Sequence, residues 1–394
     1  MTARILLFTG KGGVGKTTAA AGTATLAARA GQRTLVLSTD AAHSLGDAFG
    51  QTIGSEPTEV AERLWVQQID AQRRFEMSWQ DIQTYLVSVL DAAGVDPITA
   101  EELTVIPGAE EVLALLELLR QATSGAWDVI VVDCAPTAET LRLLALPEAL
   151  GWYMTRVFPV ERRVVKALRP VLARAAGVPM PGDTVFDAIQ RLHDDLTRVQ
   201  QLLTATSASV RLVLTPEAVV LAEARRSLTT LSLYGFRVDG VIANRVFPSG
   251  GADAWRDGWV AAQQRLLLEV SESFADVPVW LSAYQPQEPI GVDQLAEFAA
   301  AAYAGADPLA LPSGDGPMTI TRTETGAVLR IALPFAQKQD VDLARHGDEL
   351  VVTVGSYRRL VALPARLARH TVAGARVHAG GLQVRFVNDA EERA

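Results

Sequence analysis

A nine-residue stretch near the start of the sequence, GKGGVGKTT at positions 10–18, has residue types and spacing suited to binding phosphate. It matches the frame G-x-x-x-x-G-K-[ST] at each fixed position. Closely spaced glycines let successive backbone N–H groups point into one concavity, and the N-terminus of a following helix adds partial positive charge. The alternative, a glycine-rich turn with an accidental lysine, does not explain why an apolar run, the loop and an alanine-rich stretch occur in that order.

The side chains of this loop predict a nucleoside triphosphate and Mg²⁺ as its ligands. Lys16 is placed to pair with the β- and γ-phosphates, and the Thr17 hydroxyl is placed to ligate Mg²⁺. Lys11 lies on a backbone too short to fold it back onto the phosphates that Lys16 occupies, so we expect its ammonium to point outward. The loop residues predicted to bind nucleotide are Gly10, Gly12, Gly13, Val14, Gly15, Lys16, Thr17 and Thr18.

Short β-rich runs separated by helical patterns must position this loop. Nearly continuous apolar strands that alternate with helices indicate a parallel sheet covered on both faces, with polar residues at the strand ends lining one crevice. The predicted fold is therefore α/β, a phosphate-loop NTPase with a mostly parallel sheet. The runs that follow the loop are 33–38, 127–132, 210–214, 238–243 and 277–281.

Two aspartates follow predicted strands and are candidates for catalysis. Asp133 directly follows the run 127–132, where a phosphate-loop enzyme places the acid that helps to hold Mg²⁺. Asp40 ends the strand that comes next after the loop, and a carboxylate there could orient the water that attacks the γ-phosphate. The alternative role for Asp40 is the N-cap of a following helix.

Composition limits the class of protein. The chain has 394 residues, 49% hydrophobic and 21% charged, which is typical of a globular protein with two or three domains. The sequence has no run of the roughly 20 apolar residues that a membrane span needs, and its start leaves no room for a secretory signal, so we expect a cytoplasmic protein without stable membrane insertion. One cysteine, Cys134, excludes internal disulfides, and the net charge of -9 argues against nucleic acid as a partner.

Further motifs give a family resemblance. Lys11 in the loop, TDAAHSLGDAF at 39–49, DCAPTAETLRLL at 133–144, Asn244 and QEPIG at 287–291 resemble the arsenite-pump ATPase and tail-anchored-protein targeting ATPase family, over residues 4–310. This resemblance implies a homodimer that closes face to face around two ATP molecules. It also implies that Lys11 reaches the partner's nucleotide and stabilises charge in the transition state, as an arginine finger does.

The resemblance assigns roles position by position. Asp40 resembles the first-switch aspartate that positions water, and Asp133 resembles the second-switch aspartate. Asn244 resembles the asparagine that reads adenine, and Pro289 lies in the similar loop that covers the base; the alternative for Asn244 is a turn residue after a strand. Lys16 and Lys11 join Asp40 as the predicted catalytic residues, and Thr17 and Asp133 are the predicted Mg²⁺ ligands.

Departures from the family pattern change what the resemblance implies. Cys134, Ala138 and Glu139 replace the Thr, Gly and His of the second switch, which puts hinge freedom and switch coupling in question. The cysteines that hold a metalloid in the pump ATPase, and the C-x-x-C pair that holds zinc at the dimer seam of the targeting ATPase, are missing. A metalloid-pump subunit is therefore the least favoured function, and the dimer must be held by packing and nucleotide.

Two helical regions, 72–122 and 148–205, are predicted to form a subdomain within the ATPase domain, 1–308. Apolar residues at 152–180 exceed a single helix stripe and are accompanied by six basic residues. In position they resemble the family's groove for a hydrophobic client helix; the alternative is a packed helical cap with a basic exterior. The residues predicted to line the groove are Met154, Phe158, Val165, Leu168, Leu172 and Met180.

The C-terminal part has a different composition. A linker at 309–317 is rich in turn formers, and alternating apolar residues at 318–388 predict a small all-β sandwich. This part resembles the α-crystallin domain of small heat-shock proteins. The combination favours an ATP-driven chaperone or targeting factor for hydrophobic polypeptides. The alternative is a switch ATPase that regulates a folded partner or a membrane-surface complex, although the chain ends VNDAEERA rather than with a basic amphipathic helix.

Overall fold

The computed structural model divides the chain into two compact units, 1–68 with 125–141 and 203–394, and 69–124 with 142–202. Within the described ranges, no helix has the length and apolar character to cross a membrane. The residues that the structure describes are 3–39, 44–69, 109–134, 183–250, 253–378 and 380–388.

An eight-stranded sheet forms the centre of the first unit. Its strands are β1 (Arg4–Thr9), β2 (Thr34–Ser38), β3 (Thr58–Ala61), β4 (Leu64–Gln68), β5 (Val129–Asp133), β6 (Ala208–Leu214), β7 (Val238–Val246) and β8 (Val279–Ala283). The strand order is β3-β4-β2-β5-β1-β6-β7-β8, and every pair is parallel except β3 with β4. The predicted α/β fold is confirmed. Because the strand order reverses at β1, the loop after β1 opens into the crevice where such sheets bind ligands.

Seven α-helices lie within the described ranges. They are α1 (Lys16–Arg29), α2 (Ser44–Phe49), α3 (Ala109–Thr123), α4 (Asp183–Thr204), α5 (Ala218–Leu233), α6 (Ala254–Ser273) and α7 (Val292–Tyr303). Apolar residues of α4 at spacings of three and four, Leu196, Val199 and Leu203, are buried.

The central strands of the sheet carry apolar side chains on both faces. Ile5, Leu6 and Phe8 of β1 are fully buried, as are Val36 of β2 and Val131 of β5. Burying each such side chain contributes about 1.5–3 kcal/mol, so these strands form a stable support for the loop.

Strands β3 and β4 of this sheet were not predicted, and the ends of several other strands differ from the predicted runs. The edge strand β3 has an exposed or half-buried pattern with no apolar face, and β4 buries the polar pair Gln67 and Gln68. Gln67 donates from Nε2 to the Ser55 carbonyl oxygen at 2.7 Å, which satisfies its buried amide. Strand β7 continues to Val246, so Asn244 lies inside the strand, and β8 begins two residues later than its apolar run suggests.

The C-terminal domain contains two antiparallel sheets, in the orders β14-β15-β10-β9 and β11-β12-β13. Its strands are β9 (Met318–Thr323), β10 (Gly326–Ala332), β11 (Val341–His346), β12 (Glu349–Val354), β13 (Tyr357–Ala362), β14 (His370–His378) and β15 (Gly381–Asn388). Leu329, Ile331, Leu382, Val384 and Phe386 alternate inward and form its core. The predicted all-β region is confirmed.

The end of α5 packs into this β domain. Leu233, the last residue of α5, is fully buried in the core of the β domain. Its carbonyl oxygen accepts a hydrogen bond from the Arg359 guanidinium, and the Tyr234 hydroxyl donates to the Arg358 carbonyl oxygen at 3.2 Å. The Thr229 hydroxyl donates to a backbone oxygen of the same domain. The C-terminal end of α5 therefore contributes to the core of the β domain.

A buried ionic network joins β1, β6 and β7. The Asp239 carboxylate accepts from Arg4 Nη2 at 3.0 Å and from Arg211 Nη2 at 2.8 Å. Arg211 also donates from Nη1 to the Tyr303 hydroxyl at 2.8 Å, and the Tyr303 hydroxyl lies 2.6 Å from the Thr23 hydroxyl of α1. Burial lowers the pKa of the Arg4 guanidinium. This network ties the sheet to the first helix after the loop.

The same guanidinium groups hold the chain that leaves the ATPase fold. Arg211 Nη2 donates to the Pro308 carbonyl oxygen at 3.1 Å, and Arg4 Nε donates to the Leu309 carbonyl oxygen at 3.3 Å. The start of the predicted linker is thus anchored to β1 and β6.

Candidate nucleotide site

Glycine is required at both ends of the phosphate loop. Gly10 has φ 151°, and a Cβ atom there would lie 2.1 Å from the Val213 carbonyl oxygen of β6. Gly15 has φ 93°, and a Cβ atom there would lie 2.3 Å from Asn244 Nδ2. Both contacts are shorter than any side chain tolerates, so the loop passes directly against its neighbours because it lacks side chains at these points.

Lys16 is positioned over the loop. It is the first residue of α1, its side chain is buried, and its Nζ donates to the Lys11 carbonyl oxygen at 3.5 Å. An ammonium held inside the loop would neutralise phosphate oxygens bound there. The Lys11 residue is only half-buried, which is compatible with the predicted outward direction of its side chain.

Thr17 and Asp133 lie together as the predicted Mg²⁺ ligands require. Asp133 is the last residue of β5, 1% exposed, and pairs in register with Phe8 of β1. Its Oδ2 accepts a hydrogen bond from Thr17 Oγ1 at 2.7 Å. Neighbouring ligands of an octahedral Mg²⁺ lie about 2.9 Å apart, because each oxygen is about 2.0–2.1 Å from the metal. A hydroxyl and a carboxylate at this separation fit Mg²⁺.

Asn244 joins the loop to a cavity of about 310 Å³. Its Nδ2 donates to the Val14 carbonyl oxygen at 2.8 Å, and its Oδ1 accepts from Arg245 N at 2.9 Å. A carboxamide has two protons and two acceptor lone pairs, so one of each is left for a ligand. The cavity is lined by Gly15, Thr18, Asn244, Arg245, Ala283, Tyr284, Gln285, Pro286, Gln287, Glu288, Pro289 and Phe298.

Cys134 directly follows Asp133, the predicted Mg²⁺ ligand, and its contacts belong to the pairing of strands. Its backbone N–H donates to the Phe8 carbonyl oxygen at 3.1 Å, which continues the pairing of β5 with β1. Burial raises the pKa of the Cys134 thiol to about 12, and the neighbouring Asp133 charge acts in the same direction. The thiol is therefore protonated at neutral pH and is a poor ligand for a metalloid.

Several predicted residues fall outside the described part of the chain. Asp40 is one of them, and so are Ala138 and Glu139 of the second switch. The predicted groove residues Met154, Phe158, Val165, Leu168, Leu172 and Met180 are outside it as well. Their roles stay predictions.

The structure adds cavity residues that sequence reasoning missed. Arg245 and Tyr284 belong to no motif, and they reach the cavity through the local course of the backbone. The QEPIG segment was noticed, and the structure places its Gln287, Glu288 and Pro289 on the cavity wall.

Comparison with known proteins identifies two family matches along the chain. Residues 3–304 match the family described as anion-transporting ATPase, and residues 324–386 match the HSP20-like domain found in ArsA. The family resemblance predicted from the motifs is confirmed.

Individual relatives cover most of the chain. A protein of Chlorobaculum tepidum, provisionally named arsenical pump-driving ATPase, is 37% identical over 92% of this chain and 91% of its own length. An uncharacterized protein of Streptomyces coelicolor is 42% identical over 98% of each chain. The ATPase ASNA1 homolog 1 of Paramecium tetraurelia is 26% identical over 75% of this chain and 91% of its own. The chain is thus an ATPase that belongs to the anion-transporting ATPase family and carries a C-terminal HSP20-like domain.

Proposed function

We propose that this ATPase is a dimeric chaperone or targeting factor whose nucleotide-driven closure forms a groove for hydrophobic polypeptide or transmembrane helices. The observation that carries the proposal is the joining of an ATPase fold to an HSP20-like domain in one chain. The β domain shares Leu233 with the ATPase helix α5, so the two parts are mechanically connected. The relative named ATPase ASNA1 homolog 1 supports the same direction.

In the proposed hydrolysis cycle, Lys16 and the loop amides hold the β- and γ-phosphates, and Thr17 and Asp133 hold the metal. Bound Mg²⁺ supplies neutralisation of phosphate charge. Asp40 orients the attacking water as a carboxylate acceptor. Lys11 extends from the outer side of the loop to the partner's nucleotide, where its charge stabilises the transition state.

The role of Asp40 is tested by Asp40→Asn, which keeps the size of the side chain and removes the charge that orients water. ATP turnover should be lost while ATP binding is kept. Turnover is measured as phosphate release, and binding by fluorescence titration with a labelled nucleotide. Turnover close to wild type would assign the role to another group.

The role of Lys11 is tested in mixed dimers. Lys11→Ala should bind ATP yet hydrolyse it slowly, and its defect should appear at the partner's site. A dimer that combines a Lys11→Ala subunit with an Asp40→Asn subunit distinguishes action on the partner's nucleotide from action on its own. If Lys11 acts on the partner's nucleotide, both changes affect the same site and the other site stays active. If Lys11 acts on its own nucleotide, each site carries one change and both are impaired. If each site is impaired only by its own mutation, Lys11 acts in cis.

The client groove is tested by photocrosslinking of an apolar helix that carries a photoreactive residue, with and without ATP. Wild type should crosslink in the ATP-bound state. Phe158→Asp and Met154→Asp should lose crosslinking while their melting temperatures and basal ATPase activity stay near wild type. In a packed cap the same changes would bury an unpaired carboxylate and lower the melting temperature sharply. Unfolding of both variants would leave 152–180 as core.

A metalloid-pump subunit is the least favoured candidate, although several relatives carry that name. The chain has one cysteine, Cys134, and that thiol is buried and protonated. The main alternative is a switch ATPase that regulates a folded partner or a membrane-surface complex. Crosslinking to a folded partner, with none to the apolar helix, would favour it.

A further inference from the structure

Arg245 occupies a backbone conformation that disfavours its side chain. It has φ 57°, in the left-handed region where glycine and asparagine are the usual residues. It lies in a β-bulge, because Ala243 pairs with Leu281 whereas Val246 pairs with Ala283, which gives β7 one extra residue relative to β8. Bulges of this kind re-aim a side chain and are frequent beside active sites.

Buried side chains hold this bulge in place on both sides. Asn244 Oδ1 accepts from Arg245 N at 2.9 Å. Gln263 of α6, a buried residue, donates from Nε2 to the Arg245 carbonyl oxygen at 3.1 Å and accepts at Oε1 from Phe247 N at 2.7 Å. The strained conformation is thus over-determined by its surroundings, which is how proteins retain strain at sites of function.

The re-aimed side chain faces the nucleotide cavity. Arg245 is exposed and lines the same cavity as Gly15, Thr18 and Pro289. Across the described ranges, its guanidinium has no hydrogen bond, ion pair or ring contact with another side chain. Because Arg245 lines the cavity and its guanidinium makes none of these contacts within the described ranges, the guanidinium is available to a ligand.

We propose that Arg245 is a further nucleotide-binding residue whose planar guanidinium stacks on the face of the base. This proposal rests on the ATPase assignment. Arg245 directly follows Asn244, the residue proposed to read the edge of the base. We therefore place its guanidinium at the base and away from the phosphates that Lys16 is proposed to hold. Guanidinium groups stack on aromatic faces, and an ammonium lacks the planar surface to do so.

The test compares Arg245→Gly and Arg245→Lys with wild type, using calorimetric titration with ADP and with inorganic triphosphate, which has no base. Glycine tolerates the left-handed conformation, so Arg245→Gly should keep or raise the melting temperature. Its Kd for ADP should rise about tenfold, in the range of a stacked cation contact. Its Kd for inorganic triphosphate should be unchanged. Arg245→Lys should lose ADP affinity to a similar extent.

Arg265→Ala is the matched control, because it removes an exposed arginine of α6 that does not line the cavity. It should leave both affinities unchanged. Equal loss of ADP and triphosphate affinity in Arg245→Gly, or wild-type ADP affinity in Arg245→Lys, would overturn base stacking in favour of a phosphate contact. Wild-type affinities in both Arg245 variants would remove Arg245 from the site. Failure of the wild-type protein to bind ADP would instead contradict the ATPase assignment itself.

Discussion

Replacing Asp239 with asparagine tests the buried ionic network that ties the central sheet together. The Asp239 side chain is 3% exposed and accepts hydrogen bonds from Arg4, Arg211 and Ser209. Asparagine has nearly the same shape, but it is neutral, and one of its two terminal atoms is a donor. The variant would leave two buried guanidinium groups facing an amide.

The cost of this change follows from burial. Removing one partner of a buried ion pair destabilises a protein by about 3–5 kcal/mol, because the remaining charge stays desolvated. Asp293→Asn is the matched control, since Asp293 pairs with Arg29 at the surface with its side chain 89% exposed. An exposed pair of this kind contributes little.

Urea unfolding at neutral pH, followed by circular dichroism, measures both variants. Asp239→Asn should unfold at a clearly lower urea concentration than wild type, whereas Asp293→Asn should be close to wild type. Equal transitions for the two variants would refute the assignment of stability to the network. They would mean that water or a rearranged side chain compensates the two arginines.

Three further outcomes are expected. Gly15→Ala should raise the Kd for ADP at least tenfold in a fluorescence titration, because the added Cβ would displace Asn244 Nδ2 from its bond to the loop; an unchanged Kd would mean that the loop adjusts freely. Asp128→Asn should lower the melting temperature at neutral pH: hydrogen bonds from Arg33 lower the pKa of Asp128 from 3.8 to about 2, so its contribution is complete above pH 3.8 and is lost as pH falls through about 2. Melting of wild type and variant from pH 6 to 2 checks this, and a gap that widens in acid would contradict it. The Cys134 thiol, with its pKa raised to about 12, should resist a maleimide reagent at pH 8 until the protein unfolds; rapid labelling of the native protein would show that the thiol is accessible.

Much of the fold could be predicted because its signals are local. The phosphate loop has a fixed spacing of glycines, and the strands that flank it are continuous apolar runs. The alternation of Leu382, Val384 and Phe386 likewise gave the β domain, since one face of each strand is buried. In these segments the apolar residues of the local pattern are the residues that become buried.

The remaining features depend on contacts between distant residues. Gln67 of β4 can be buried because it donates a hydrogen bond to the Ser55 carbonyl oxygen. A hydrophobic pattern holds no information about such a contact. The bulge at Arg245 in β7 is held by a hydrogen bond from Gln263 of helix α6. Thr17 and Asp133 were paired in the sequence analysis only through the phosphate-loop pattern. Their 2.7 Å contact depends on the parallel pairing of β1 with β5, which the sequence analysis did not predict.

The placement of Leu233 in the core of the β domain has a consequence for biosynthesis. Helix α5 is translated well before residue 318, so its last turn emerges from the ribosome before the strands that cover Leu233 exist. Until β10, β12 and β15 have been made, this leucine and the backbone oxygen that Arg359 later satisfies stay in contact with water. The C-terminal end of α5 therefore reaches its final packing only after these strands are synthesised. A chain truncated at the linker would expose Leu233 on its surface.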